Sequence, residues 1–415
     1  MANSAKHLIF LKDLNLIDGT GAAPAGATVV VEGDSIKEVL GPRSKAPRGA
    51  EIIDCRGQTL LPGLIDGHVH IGAVEANIME QQRRNYPSVL VIKTLRVMKE
   101  TLDQGFTSAR DAGGADAGFR EAVAQGLVVG PRLFVSGQPL SQTGGHGDSR
   151  LPTEHHVPVP LPAGLDSLVC DGVDAVRAAA RSQLRQGVDH VKVMAGGGCM
   201  SPSDEVDTSQ YSPDELKAIV WEAESAGKYV LAHCYSDRSI VNAVASGIRT
   251  IEHGNLLTEA GAKAIKRAGA YLVPTIVTYQ MISKLGKQQG IPDNNIRKIN
   301  EALEKGLEAL RIALKAGVKI GSGSDLLGEM QIYKGVELEL QAKVMGPMAA
   351  IVATTKANAE ILRREKDLGT VEPGKLADLI LVDGDPLKDI TLFQKYQEKI
   401  TLIIQGGRVY KNILG

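Results

Sequence analysis

Nothing in this chain favours one sign of charge. Its 47 Lys+Arg against 48 Asp+Glu leave a formal net charge of -1 over 415 residues, so no field draws it to nucleic acid or an anionic membrane. Cysteine is scarce. The four residues Cys55, Cys170, Cys199 and Cys234 contain no C-x-x-C pair, which fits reduced, structural thiols rather than a disulfide framework. No run approaches the roughly 20 apolar residues of a membrane span. The N-terminal stretch leads into a strand pattern at His7 without a signal-type apolar core. A cytoplasmic protein without nucleic-acid or membrane partners is expected.

What is present is two kinds of chain. Up to about residue 60, short β-rich segments (His7 to Leu11, Ala27 to Glu32, Ile36 to Val39, Glu51 to Asp54) alternate with turns, and no helix-period segment interrupts them. From Leu61, strands alternate with amphipathic helices. Six helix ends run straight into a strand through glycine: Gln104-Gly105, Gln186-Gly187, Ala226-Gly227, Ser246-Gly247, Ala268-Gly269 and Ala316-Gly317. Glycine past a helix takes the left-handed conformation that closes it. Ser212-Pro213-Asp214-Glu215 supplies a cap, a proline at the first helical position and the acid of a capping box. Repeated helix-Gly-strand units mark a parallel α/β fold, and eight of them close a barrel of about 250 residues. After about residue 365 the β pattern returns in Asp378 to Asp383, Ile400 to Ile404 and Arg408 to Tyr410. Neither end has the strands to bury a core alone.

The stretch Leu60-Leu61-Pro62-Gly63-Leu64-Ile65-Asp66-Gly67-His68-Val69-His70 is an apolar strand ending in two histidines one residue apart. Alternation sends His68 and His70 to one face, with Asp66 below them. Two imidazoles so placed can converge on one metal ion. Further candidate ligands end separate predicted strands: Lys192, His233, His253 and Asp325. Ligands on the carboxyl ends of different strands favour a closed barrel over an open sheet, because closure brings them to one mouth.

This order resembles the amidohydrolase superfamily: His-x-His on the first barrel strand, Lys on the fourth, His on the fifth and sixth, and Asp on the eighth. The likeness covers nearly the whole chain. Within the superfamily it is similar to the Xaa-Pro dipeptidase and metal-dependent carboxypeptidase branch, related to imidazolonepropionase. The matching stretches are Gly63 to His70, His190 to Gly198, Ala232 to Tyr235 and Ile251 to Gly254. The resemblance implies an α/β fold, a (β/α)8 TIM barrel over residues 62–365. Beside it would stand a small β-sandwich composed from residues 1–61 and 366–415, and Val371-Glu372-Pro373-Gly374-Lys375-Leu376-Ala377-Asp378 matches a motif carried on leaving the barrel. It also implies two divalent ions, zinc by default. One is held by His68, His70, Lys192 and Asp325, the other by Lys192, His233 and His253. Lys192 would be carboxylated by CO2, because a free ammonium cannot bind metal; the plainer alternative is an inward lysine paired with Asp325. A hydroxide between the ions would attack, with Asp325 as general base and then acid.

The implied activity is hydrolysis of an amide that releases a C-terminal amino acid, as in Xaa-Pro dipeptides or N-acyl amino acids, by a homo-oligomer. Alternatives are a preference for C-terminal Arg or Lys, N-acyl aromatic amino acids, a cyclic amide, a dead scaffold that would have lost ligands, or a mononuclear deaminase that would need no lysine. Substrate-binding candidates are His146 in Thr143-Gly144-Gly145-His146-Gly147-Asp148, Tyr235 two residues past His233, and Arg110 at the end of the second strand, which also reads as a structural ion-pair partner. Asp148, Asp204, Glu205 and Asp207 lie on candidate mouth loops where a basic side chain could be paired. His190 lies one pleat below Lys192 and is read as core. His155 and His156 fall in a Pro-rich loop to Pro160 and are read as surface or loop-packing. Gly196-Gly197-Gly198-Cys199-Met200-Ser201-Pro202 lacks the Lys-Ser/Thr of a P-loop and reads as a mobile lip. Cys199 has no evident base to make it a nucleophile.

Overall fold

A computed structural model describes residues 7–156 and 165–414. Residues 1–6 of the expected N-terminal β segment, and the part of the Pro-rich loop from Val157 to Pro160, lie outside the described residues. Both chain ends meet in one eight-stranded sheet. Its strands are β1 (Leu8–Leu16), β2 (Ala25–Glu32), β3 (Ser35–Leu40), β4 (Glu51–Asp54) and β5 (Thr59–Pro62). From the far end come β16 (Leu379–Val382), β17 (Ile400–Gln405) and β18 (Arg408–Asn412). The order is β18-β17-β16-β5-β1-β2-β3, with β4 pairing β1. β5 and β16 join the two ends antiparallel, from Leu379 opposite Pro62 to Val382 opposite Thr59.

Two-residue alternation splits this sheet into faces. Leu379 and Leu381 join a cluster with Ile9, Leu11, Val29 and Leu402. Their neighbours Ile380 and Val382 join Leu61, Leu102, Phe106 and Leu338, which fastens the sheet to the α/β part. Each such side chain contributes roughly 1.5–3 kcal/mol on full burial.

The remaining strands run parallel. One sheet holds β6 (Leu64–Val69), β7 (Phe106–Asp111) and β8 (Arg132–Phe134). Another runs β10-β9-β11-β12-β13-β14-β15: β9 (Leu140–Ser141), β10 (Leu168–Val169), β11 (Val191–Met194), β12 (Val230–Ser236), β13 (Thr250–Leu256), β14 (Tyr271–Val273) and β15 (Lys319–Ile320). Backbone hydrogen bonds cross both gaps between these sheets. Gly67 donates to Ser322 at 2.8 Å, Ser324 and Asp325 both donate to His68, and Asp189 donates to Val135 at 2.8 Å.

All six helix-ending glycines have positive φ, between 66° and 95°. At Gly269 the φ of 66° lets its N–H turn back onto Ile265 and Lys266 carbonyls. The capping box forms as expected, Ser212 accepting from the Glu215 backbone while the Glu215 side chain takes the Ser212 N–H at 2.8 Å. Among the described residues no helix is long and apolar enough to cross a membrane.

Candidate active site

The site is built from the carboxyl end of β6 outward. His68 and His70 emerge on one side with ring centroids 5.3 Å apart. Asp66 stays beneath, where its carboxylate accepts from the backbone N–H of His68 and Ser324 and from Lys334 Nζ at 3.0 Å. His253 from β13 packs 4.8 Å from His68 and 4.6 Å from His233 of β12, centroid to centroid. Asp325, just past β15, brings Oδ1 to 3.4 Å from His70 Nε2 and 3.6 Å from His68 Nε2. Lys192 of β11 is buried in the same cavity wall as His70, His233, His253 and Asp325. The site is assembled at a cost in backbone conformation: His253 and Asp325 have φ of 72° and 52°, a region uncommon for side-chain-bearing residues.

Each of the four histidines spends one ring nitrogen on the protein. His68 Nδ1 donates to Glu252 Oε2 at 2.6 Å and His70 Nδ1 to the Gly113 carbonyl at 2.8 Å. His233 Nε2 donates to the Gly197 carbonyl at 3.0 Å, and His253 Nδ1 shares a 2.8 Å hydrogen bond with Thr275 Oγ1. Such partners fix tautomer and ring orientation and leave the second nitrogen for a ligand. His68 Nε2 is buried with no partner, and ligand atoms of His68, His253 and Asp325 all lie within 4.8 Å of one another. Burial drives His68, His233 and His253 well below the usual histidine range and His70 to about 3. Neutral imidazole is the metal-binding form. Burial also brings Lys192 down to about 8 and pushes Asp325 up to about 7. Orphaned nitrogen, neutral rings and a nearby carboxylate fit a divalent cation.

Of the sequence candidates for substrate binding, two face this cavity. The His146 ring stacks on His233 at 4.2 Å, and Tyr235 lies edge-on to it at 4.8 Å. The Tyr235 hydroxyl accepts from Tyr279 at 2.8 Å. Arg110 is corrected: it is fully buried outside the cavity, donating from Nη2 to both Glu252 oxygens at 2.9 and 2.8 Å and from Nε to the Gly67 carbonyl. It holds the carboxylate that holds His68. Arg110→Met is therefore expected to lower stability by about 3–5 kcal/mol, because Glu252 is left buried without its counter-charge. An unchanged melting temperature would show that the pair carries no such weight.

The lip reading is also corrected. The helix Asp293–Lys315 pins that loop: Lys298 Nζ donates to the carbonyls of Gly198, Ser201 and Asp204 at 2.7–3.0 Å, and Asn295 to that of Cys199. A Cβ on Gly198 would overlap the His146 ring. Cys199 is buried and its thiol is pushed up to about 12, so it is no nucleophile. His190 is buried, bonded to the Asp111 carbonyl and stacked on Tyr229; His155 and His156 are exposed. Asp148 is taken by Arg150 and Glu205 by Arg297, and neither they nor Asp204 or Asp207 line the cavity.

Several functional partners escaped the sequence reading. Tyr279 and Thr278 sit on the helix Ile276–Leu285 in the cavity wall. Thr275, at the cap position of that helix, makes no side-chain cap bond because its hydroxyl serves His253. Glu337, from the helix Gly335–Met345, accepts from Val277 N at 2.7 Å instead. A charged residue beside a strand histidine, as in Glu252-His253, was the available signal for the first of these supports.

Comparison with known proteins agrees with this geometry. The model of the Amidohydrolase family matches residues 59–409. Ochratoxinase of Aspergillus niger is 31% identical over 411 residues, 95% of this chain and 85% of that one. A prolidase solved with N-methylphosphonate-L-proline superposes with a TM-score of 0.95 at 41% identity, covering 98% of this chain and 100% of that one. A Xaa-Pro dipeptidase solved with methionine in its active site gives a TM-score of 0.89 at 27% identity, with 98% and 100% covered. A match over most of the chain, relatives that cleave amides, and a histidine-aspartate cluster at the strand ends together make this chain a member of the amidohydrolase family.

Proposed function

We propose that this chain hydrolyses an amide whose leaving group is an α-amino acid with a free carboxylate, a Xaa-Pro dipeptide or an N-acyl amino acid. The observation that carries the reading is a single cavity whose wall combines Lys192, His233, His253 and Asp325 with Tyr235 and His146. The similarity to a prolidase, a Xaa-Pro dipeptidase and ochratoxinase supports it. The same reading takes the parallel strands as one closed (β/α)8 barrel, supported by the bonds that cross between β6, the segment after β15, and the entry to β11. It takes the end sheet as the small β-sandwich, and the setting as cytoplasmic, in keeping with four free thiols.

His68, His70, a carboxylated Lys192 and Asp325 would hold one divalent ion, and Lys192, His233 and His253 a second. When bound, two such ions, zinc by default, lower the pKa of water and polarise a carbonyl. Asp325 accepts the proton of the water that adds to the amide carbon, and returns it to the nitrogen as the C–N bond breaks. A carboxyl raised by burial to about 7 is poised for both transfers near neutral pH. Tyr235 and His146 donate to the substrate's carboxylate and orient the bond.

Two measurements test this. Active protein should contain two divalent ions per chain and lose activity to chelators; one ion in fully active protein would overturn the binuclear reading. Amidating or esterifying the substrate carboxylate should lower kcat/KM by about 10- to 100-fold, since a hydrogen bond to a charged group contributes roughly 1.5–3 kcal/mol. Tyr235→Phe should erase most of that discrimination with metal content unchanged. Blocked amides cleaved as well as free acids would sink carboxylate recognition.

A further inference from the structure

Two residues of the cavity wall carry buried polar atoms that no protein group satisfies: Thr278 Oγ1 and Gln82 Nε2. Thr278 is only 3% exposed. It shares a face of its helix with Ile282, one turn on, which also lines the cavity. Gln82 sits on the helix Ile78–Arg84, and Ile78 and Met79, a turn earlier, line the same space. A donor is thus set into each of two otherwise apolar helix faces.

An unmet buried polar group is costly, whereas an apolar side chain of the same shape is not. Threonine and glutamine at these positions therefore work against the fold unless something in the cavity meets them. The adjoining hydroxyls are already engaged: Tyr279 bonds Tyr235, and Thr275 bonds His253. Thr278 is the hydroxyl of that helix turned to the cavity without a partner.

We propose that Thr278 and Gln82 form a neutral subsite that reads a carbonyl oxygen in the acyl half of the substrate, apart from the carboxylate held by Tyr235 and His146. The inference rests on the amide-hydrolase reading and narrows it. Two neutral donors among isoleucine and methionine suit an uncharged acyl chain with one acceptor and an apolar remainder, such as an N-acylated aminoacyl group. They do not suit an ammonium, which has only protons to offer. Asp166, a wall carboxylate besides Asp325, already has a partner of its own.

The test compares N-acetylglycyl-L-proline, pentanoyl-L-proline of equal chain length, and glycyl-L-proline. Wild type should favour the acetylated compound over the pentanoyl one by about 10-fold in kcat/KM, the effect of one well-made neutral hydrogen bond. Thr278→Val and Gln82→Met should each cut that ratio at least about threefold, and the double variant should bring it close to one. Thr278→Val should also melt at the same temperature as wild type or higher, which a structural hydroxyl would not allow. A ratio preserved in both variants, or free glycyl-proline outrunning its acetylated form, overturns the proposal. If no compound is cleaved, their calorimetric binding reads the same ratio. A binding ratio that Thr278→Val abolishes then upholds the subsite while the hydrolase reading fails.

Discussion

Asp325→Asn is expected to lower turnover by about 10²–10⁴-fold, the span of a general acid-base group, while the protein melts within a few degrees of wild type. The side chain keeps its shape, and asparagine tolerates the left-handed backbone that Asp325 adopts at φ 52° as well as aspartate does. What is lost is the proton acceptor. Burial raises this carboxyl to about 7, so near neutral pH it exchanges a proton readily in both directions, and a carboxamide cannot. Its Oδ1 lies within 3.6 Å of both His68 Nε2 and His70 Nε2. The substitution therefore also weakens whatever those nitrogens hold, and metal content measured beside kcat separates the two losses. Turnover within about threefold of wild type, at unchanged metal content, would contradict the role.

How much of this was legible beforehand follows from chain distance. His68, His70, Lys192, His233, His253 and Asp325 could be picked out because each ends a strand, and strand ends are marked locally by apolar alternation and by the glycine that precedes each unit. The six glycines and the Ser212 capping box are likewise local, and the structure has them as read. The supports under the site are not local. Lys334 reaches Asp66 across 268 residues, Glu252 meets His68 across 184, and Lys298 holds the Gly198 carbonyl across 100. Nothing near Lys334 or Lys298 in sequence tells a solvated helix lysine from a buried one. Arg110 was legible as a charged strand end but not as a residue facing away from the mouth, since that depends on Glu252 arriving from β13. Thr275 shows the same limit. Its local signal is a helix cap, and a histidine 22 residues earlier diverts it.

The largest loss after that at Asp325 is expected at Lys192. Lys192→Ala should cost about 10³-fold in turnover, the equivalent of roughly 4 kcal/mol of charge stabilisation, together with most of the bound metal. The lysine is 1% exposed, and burial brings it down to about 8, so a neutral amine able to take up CO2 is accessible near neutral pH. The competing account, a structural lysine paired with Asp325, finds no support in the contacts. Among the described residues the Asp325 carboxylate is paired with His68, His70 and His253, and Lys192 takes part in no ion pair. A lysine buried without a counter-charge is expensive unless its charge is changed, and carboxylation converts it from a cation to an anion among neutral imidazoles. If that is its role, a small carboxylic acid such as propionate should partly restore metal binding and activity to Lys192→Ala by occupying the place of the lost carbamate. It should do nothing for Asp325→Asn. Activity at the wild-type level in Lys192→Ala without added acid would exclude the bridging role. Metal and activity both lost, with no response to any small acid, would leave the lysine as a buried amine whose removal simply unmakes the site.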